Sequence, residues 1–98
     1  MTVRRTKIIS TIGPASDTDD AVRALIATGT DVFRLNFSHG THEQHRASAQ
    51  RIRRAAEEAG RVVALMQDLS GPKIRTGDLE GNQPILLTEG EPLDIVIG

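Results

Sequence analysis

Ninety-eight residues with two aromatic side chains and no cysteine suffice for one small domain at most, which excludes a two-domain enzyme within this length. Hydrophobic residues at 38% and charged residues at 26% place the chain among soluble globular proteins, and a formal net charge of -1 creates no overall field toward nucleic acid or anionic lipid. The lack of cysteine removes disulfides, thiolate nucleophiles and Cys-type zinc sites, and with no apolar stretch of signal-peptide or membrane-span length a cytoplasmic location is expected.

The first expected element is a strand over residues 7–12. A helix follows over about 17–28, with Ala21, Val22, Leu25 and Ile26 on one face, Asp17, Asp19 and Asp20 in its first turn and Gly29 just beyond its end. Residues 31–37 read as the second strand. The second helix opens on Thr41-x-x-Gln44, a capping-box pattern, repeats small or apolar residues at Ala49, Ile52, Ala56 and Ala59, and stops at Gly60. Residues 62–66 form a continuous apolar run, as a parallel strand covered on both faces would. The order β-α-β-α-β points to right-handed crossover units of an α/β fold, either an open sheet or a barrel. After Gly71-Pro72 the texture changes to short apolar segments at 85–87 and 93–97 separated by glycine-containing turns, which predicts the start of a small antiparallel β unit. Charge changes at the same place. Residues 1–75 carry all twelve basic and eight acidic side chains, while 76–98 carry five acidic ones and no basic one. The expected boundary therefore divides 1–74, part of one domain, from 75–98, the start of another.

Four features invite a chemical reading. In the second strand, alternation sends Phe33, Leu35 and Phe37 one way and Arg34, Asn36 and Ser38 the other. An arginine in a polar stripe needs a partner inside a sheet, so the stripe implies an anion, an ion or a wet mouth at the strand's carboxyl end. A half-exposed strand whose polar face simply meets water explains the pattern equally well. The third strand leads into Gln67-Asp68-Leu69-Ser70-Gly71-Pro72-Lys73-Ile74-Arg75 at the same sheet end. Adjacent parallel strands would bring Asn36, Ser38 and Asp68 together as hard oxygen ligands, with Arg34 and Arg75 able to grip phosphate. The competing reading has Asp68 capping its own turn at Ser70 or Gly71, with Lys73 and Arg75 solvated. Histidines 39, 42 and 45 are too poorly disposed for zinc and read as helix-surface residues. The arginines of the second helix read as a solvated face in which Arg53 and Arg54 pair with Glu57 and Glu58 four residues on. RNA binding is not expected, because aromatic stacking residues are missing.

Three blocks then carry a family likeness: Thr11-Ile12-Gly13-Pro14-Ala15-Ser16, Arg34-Leu35-Asn36-Phe37-Ser38-His39-Gly40-Thr41, and Asp68 through Gly77. In order and separation they resemble the opening of the pyruvate kinases. The resemblance implies the first three β-α units of a (β/α)8 TIM-type barrel, followed by the beginning of a β-rich lid domain. It further implies phosphoryl transfer from phosphoenolpyruvate to ADP in glycolysis. By the same likeness, Arg34 stands for the arginine on the substrate phosphate, Asn36, Ser38, Asp68 and the Leu69 carbonyl for the potassium ligands, and Asn36, His39 and Arg75 for nucleotide contacts. The family's magnesium ligands and proton-donating lysine are expected beyond Gly98, so no catalytic residue is assigned among these 98.

One departure bears on the cofactor. Potassium-dependent members carry glutamate after Gly-Pro, whereas this chain has Lys73, whose ammonium is expected to replace the monovalent cation. A complete barrel takes roughly 250 residues, so the resemblance implies an amino-terminal fragment, inactive alone, whose partners are phosphoenolpyruvate, ADP, the remainder of the chain and further copies in a homo-oligomer. The alternative is a non-catalytic module that binds a phosphorylated metabolite or a partner chain.

Overall fold

The computed structural model describes residues 3–97. Three short strands, β1 (Ile9–Thr11), β2 (Val32–Asn36) and β3 (Ala64–Asp68), form a parallel sheet in the order β1-β2-β3. Helix α1 (Asp19–Thr28) connects β1 to β2, and α2 (His42–Glu58) connects β2 to β3. The expected β-α-β-α-β order is present. No α-helix follows β3 among the described residues, so the third unit is represented by its strand alone.

The helices begin and end where side-chain chemistry can satisfy their free backbone groups. Thr18 caps α1 by accepting the Ala21 N–H at 3.2 Å, which moves the helix start past Asp17 and frees that carboxylate for a longer-range role. At the other end Gly29 has φ +118, a left-handed geometry that costs a residue with a Cβ about 1–2 kcal/mol, and its N–H closes onto the Leu25 and Ile26 carbonyls. The capping box of α2 forms as expected: the Thr41 hydroxyl accepts the Gln44 N–H at 3.2 Å, and the Gln44 side chain accepts the Thr41 N–H at 2.8 Å.

Both helices lie on one face of the sheet. The core between them consists of Val22 and Ile26 of α1, Phe33 and Leu35 of β2, and Ile52, Ala55 and Ala56 of α2. Phe33, Ile26, Ile52 and Val22 are fully buried. Ala59, expected on the inner face of α2, is exposed; Ser48 and Ala55 are buried there instead. Buried hydroxyls are satisfied, with Ser10 and Thr30 2.8 Å apart and Ser48 donating to Asp17 at 2.8 Å. Across the helices, Arg51 pairs with Asp17 and Asp19, Arg54 with Asp19, and Arg23 with Glu58. These replace the expected i,i+4 pairs of Arg53 and Arg54 with Glu57 and Glu58. The physical reason is that the acidic start of α1 lies within reach, and one arginine there meets two carboxylates. At the amino end of the sheet Asp31 accepts the Ile8 N–H at 2.9 Å and pairs with Arg4.

Two expectations about the third strand are corrected. The third strand lies two residues later than the apolar run suggested, because its register is set by pairing with β2, from Val32 opposite Ala64 to Asn36 opposite Asp68. It is also covered on one face only: Val63 and Leu65 pack toward the core, whereas Val62 is 96% exposed and Met66 stands on the open side. The antiparallel unit expected beyond Arg75 does not appear, since no strand occurs between β3 and residue 97 and a short 3-10 turn at Glu80–Asn82 is the sole helical element there. Ile85, Leu86, Leu87, Leu93, Ile95, Val96 and Ile97 are exposed. Two short strand-like segments with no third strand or helix to cover them lack the partners a stable hairpin needs. With this arm extended, the Cα radius of gyration is 18.8 Å, against about 13 Å for a compact domain of this length.

Candidate functional site

The face of the sheet opposite the helices carries the polar stripe. Strand register puts Thr11, Arg34 and Met66 in one row and Asn36 and Asp68 in the next, toward the carboxyl ends of the strands. Because β2 buries Phe33 and Leu35 under the helices, its period of two turns Arg34 and Asn36 to the other side. Arg34 meets partners on both neighbouring strands instead of merely extending into water.

Arg34 donates from Nε to the Asp68 Oδ2 at 2.9 Å, its Nη2 bonds the same oxygen, and its Nη1 reaches the Thr11 hydroxyl at 3.3 Å. A guanidinium has five N–H donors. Three are engaged here, and the other two have no hydrogen-bond partner among the described residues. With Arg34 and Asp68 side chains 30% and 45% exposed, the pair sits at a wet mouth and not in the dry core. Asp68 thus uses its carboxylate across the sheet and not on its own turn, which corrects the capping reading. The turn motif belongs to Asn36, whose Oδ1 accepts the Ser38 N–H at 3.1 Å. Asn36 also accepts the His39 N–H on its backbone carbonyl at 3.2 Å, and the Phe37 N–H bonds the Asp68 carbonyl at 2.9 Å. Arg34, Asn36, Ser38 and Asp68 are therefore linked through two adjacent strand ends and one turn.

The remaining candidates stand apart from this cluster. Leu69 directly follows Asp68, with its side chain 70% exposed. Lys73 and Arg75 are exposed on the arm that leaves the sheet. A cleft of about 660 Å³ opens on the carboxyl side of β1 and β2, within the usual range for small-molecule sites. Asn36 and His39 line it, facing Ile12, Gly13 and Pro14 after β1. His45 of α2 lines it too, and it is more than a surface residue: its ring stacks on Phe37 with centroids 4.2 Å apart, and its Nε2 lies 2.6 Å from the His39 carbonyl oxygen. Thr11 and His45 were missed as site residues; Thr11 sits in a block already noted, and only its register opposite Arg34 reveals the contact.

The side chains at these strand ends bear oxygen atoms, a carboxylate on Asp68, an amide on Asn36 and a hydroxyl on Ser38, and Asp68 Oδ2 and Asn36 Oδ1 already accept from Arg34 and from the Ser38 N–H. Such hard oxygens suit an alkali or alkaline-earth cation better than a transition metal. No group of three or more His, Asp or Glu side chains able to hold a metal occurs among the described residues. No helix among them is long and apolar enough to cross a membrane.

A parallel β-α-β-α-β unit, with an anchored arginine and polar side chains at the carboxyl ends of its strands, is an α/β fold with its polar groups at the end where such folds place their active sites. The family described as "Pyruvate kinase, barrel domain" matches residues 3–98, and the chain belongs to the pyruvate kinase family. It is 45% identical over 95 residues to a pyruvate kinase of Mycobacterium tuberculosis, covering 97% of this chain and 20% of that protein. It is 50% identical over 92 residues to the pyruvate kinase of Geobacillus stearothermophilus, covering 94% of this chain and 16% of the relative. The crystal structure of Cryptosporidium parvum pyruvate kinase superimposes with a TM-score of 0.72 at 48% identity, over 84% of this chain and 17% of that one. The chain thus spans about a fifth or less of the length of these relatives.

Proposed function

We propose that this chain is the opening part of a pyruvate kinase and contributes to moving the phosphoryl group of phosphoenolpyruvate onto ADP, giving pyruvate and ATP. The observation that carries the reading is Arg34, fixed by Asp68 on one side and Thr11 on the other with two N–H groups left over. A guanidinium held in place before substrate arrives loses little freedom on binding, so its attraction for the phosphate goes into orientation. Phosphoryl transfer needs little covalent chemistry from the protein. Positioning of the two substrates and neutralisation of charge on the transferred group do most of the work.

Asn36 and His39, on the wall of the neighbouring cleft, are assigned to the nucleotide, with Arg75 joining them from the arm. Asn36, Ser38, Asp68 and the Leu69 carbonyl are the residues that would hold a monovalent cation, whose positive charge would offset that of the phosphates. In this chain we assign that charge to the Lys73 ammonium instead. The magnesium ligands and the lysine that protonates the enolate are assigned to later strands of a (β/α)8 barrel, and residues 75–98 to the start of its β-rich lid. The 98 residues alone are expected to give no turnover.

The test is a coupled assay of pyruvate formation from phosphoenolpyruvate and ADP, with the full-length protein and with residues 1–98 alone. Turnover by the full-length protein only is the expected result. Absence of turnover in the full-length protein, together with retained binding of a phosphorylated metabolite, would replace the enzyme by a binding module.

A further inference from the structure

We propose that His45 is a positioning residue for the turn that presents Ser38 and His39, acting through a hydrogen bond from its Nε2–H to the His39 carbonyl. The inference rests on the reading above, in which that turn serves nucleotide and cation. Within the turn, the contacts of Asn36 with Ser38 and His39 define a local shape, but they do not fix how the turn sits against α2. Three contacts do that. The capping box joins Thr41 to Gln44, the Phe37 ring stacks on His45 at an interplanar angle of 12°, and His45 Nε2 stands 2.6 Å from the His39 oxygen.

A carbonyl oxygen only accepts, so Nε2 carries the proton and the neutral ring is the Nε2–H tautomer. Gly40 shows how closely the imidazole is seated. Its φ is +74, and a Cβ built there would lie 3.3 Å from His45 Nε2 and 3.1 Å from Gln44 Oε1. The imidazole and the capping amide therefore crowd the space that a side chain at position 40 would take. His42 differs: its ring is tilted at 43° to Phe37, 5.8 Å away, and it makes no hydrogen bond to the turn among the described residues. Arg34, by contrast, is anchored from β1 and β3 and owes nothing to His45. Loosening the turn should thus weaken one substrate and spare the other.

Steady-state kinetics of the full-length protein separate the two. His45→Phe keeps a ring on Phe37 and removes the donor; His45→Gln keeps an N–H and removes the ring. The Phe variant is expected to raise KM for ADP about three- to tenfold, the worth of one such hydrogen bond, with KM for phosphoenolpyruvate changed by less than about twofold. The Gln variant is expected to recover most of that loss. An unchanged KM for ADP, or parallel losses for both substrates, overturns the proposal. A second measurement requires neither turnover nor a variant: nitrogen-15 spectra of the wild-type imidazoles in alkaline solution should show His45 protonated at Nε2, and protonation at Nδ1 overturns the proposal. Wild-type protein that shows the Nε2–H tautomer but no turnover would count against the phosphotransferase and uphold the strut.

Discussion

Arg34 and Asp68 form a pair whose value lies in geometry more than in stability. Both side chains are partly exposed, so solvent screens the attraction, and the ion pair contributes little to folding. What it does is select one orientation of the guanidinium from the many an arginine can adopt. Asp68→Asn keeps the shape but weakens the grip on Arg34, and should raise KM for phosphoenolpyruvate about three- to tenfold while the melting temperature stays within a few degrees. Asp31, at the opposite end of the sheet, has the contrary role. The Ile8 N–H, helped by the charges of Arg4, Lys7 and Arg61 and opposed by partial burial, holds its carboxyl below the ordinary 3.8. A carboxyl lowered in the folded state stabilises above its unfolded value, and the benefit disappears as pH falls through the folded one. The melting temperature of full-length Asp31→Asn should therefore lie below wild type at neutral pH, with the gap closing as pH falls below 3.8. A gap that widened in acid would contradict the assignment.

Among the elements, α2 carries most of the organisation. It contributes Ile52 to the core, receives the acidic start of α1 on Arg51 and Arg54, and steadies the turn before it through His45. Ile52→Ala should cost about 2–5 kcal/mol, since the side chain is fully buried between both helices and β2; chemical denaturation of the full-length protein reads it. Much of this layer was legible beforehand. The period of the apolar residues, the Thr41–Gln44 box and Gly29 mark helices by local chemistry, and the alternation at Phe33 to Ser38 marks the two faces of β2. What was hidden is non-local. Arg54 has both Glu58 and Asp19 within conceivable reach, and only the packing of α1 on α2 decides for Asp19. The start of β3 was misplaced because an apolar run shows where a strand can form, while register with β2 decides where it does. Nothing local tied Thr11 to Arg34 or His45 to the His39 carbonyl either, as both contacts depend on how separate elements meet.

At the scale of the whole molecule, one sheet face has its helices and the other does not. The open face bears Ile9 and Met66 beside the polar stripe, and the arm beyond β3 exposes a series of leucines, isoleucines and valine. Apolar surface of that extent is what a soluble protein normally covers. On the proposed reading, further barrel strands and a lid would close over both, and would give 85–87 and 93–97, strand-like in sequence, the partners they do not find here. The arm also carries Lys73, exposed here; on the proposed reading its ammonium enters the cation site in the full-length protein, where two cations would repel, so that protein should turn over nearly as fast in tetramethylammonium as in potassium salts. A many-fold stimulation by potassium would show that Lys73 does not supply the charge.

The reading as a whole depends on Arg34 receiving the phosphate. Calorimetric titration of phosphoenolpyruvate into the full-length protein and its Arg34→Lys variant measures this directly, because lysine keeps the charge and loses the planar donors. We expect the variant to bind about tenfold or more weakly, in line with charge-assisted hydrogen bonds worth about 1.5–3 kcal/mol. Equal affinity in the two proteins would place the substrate phosphate elsewhere.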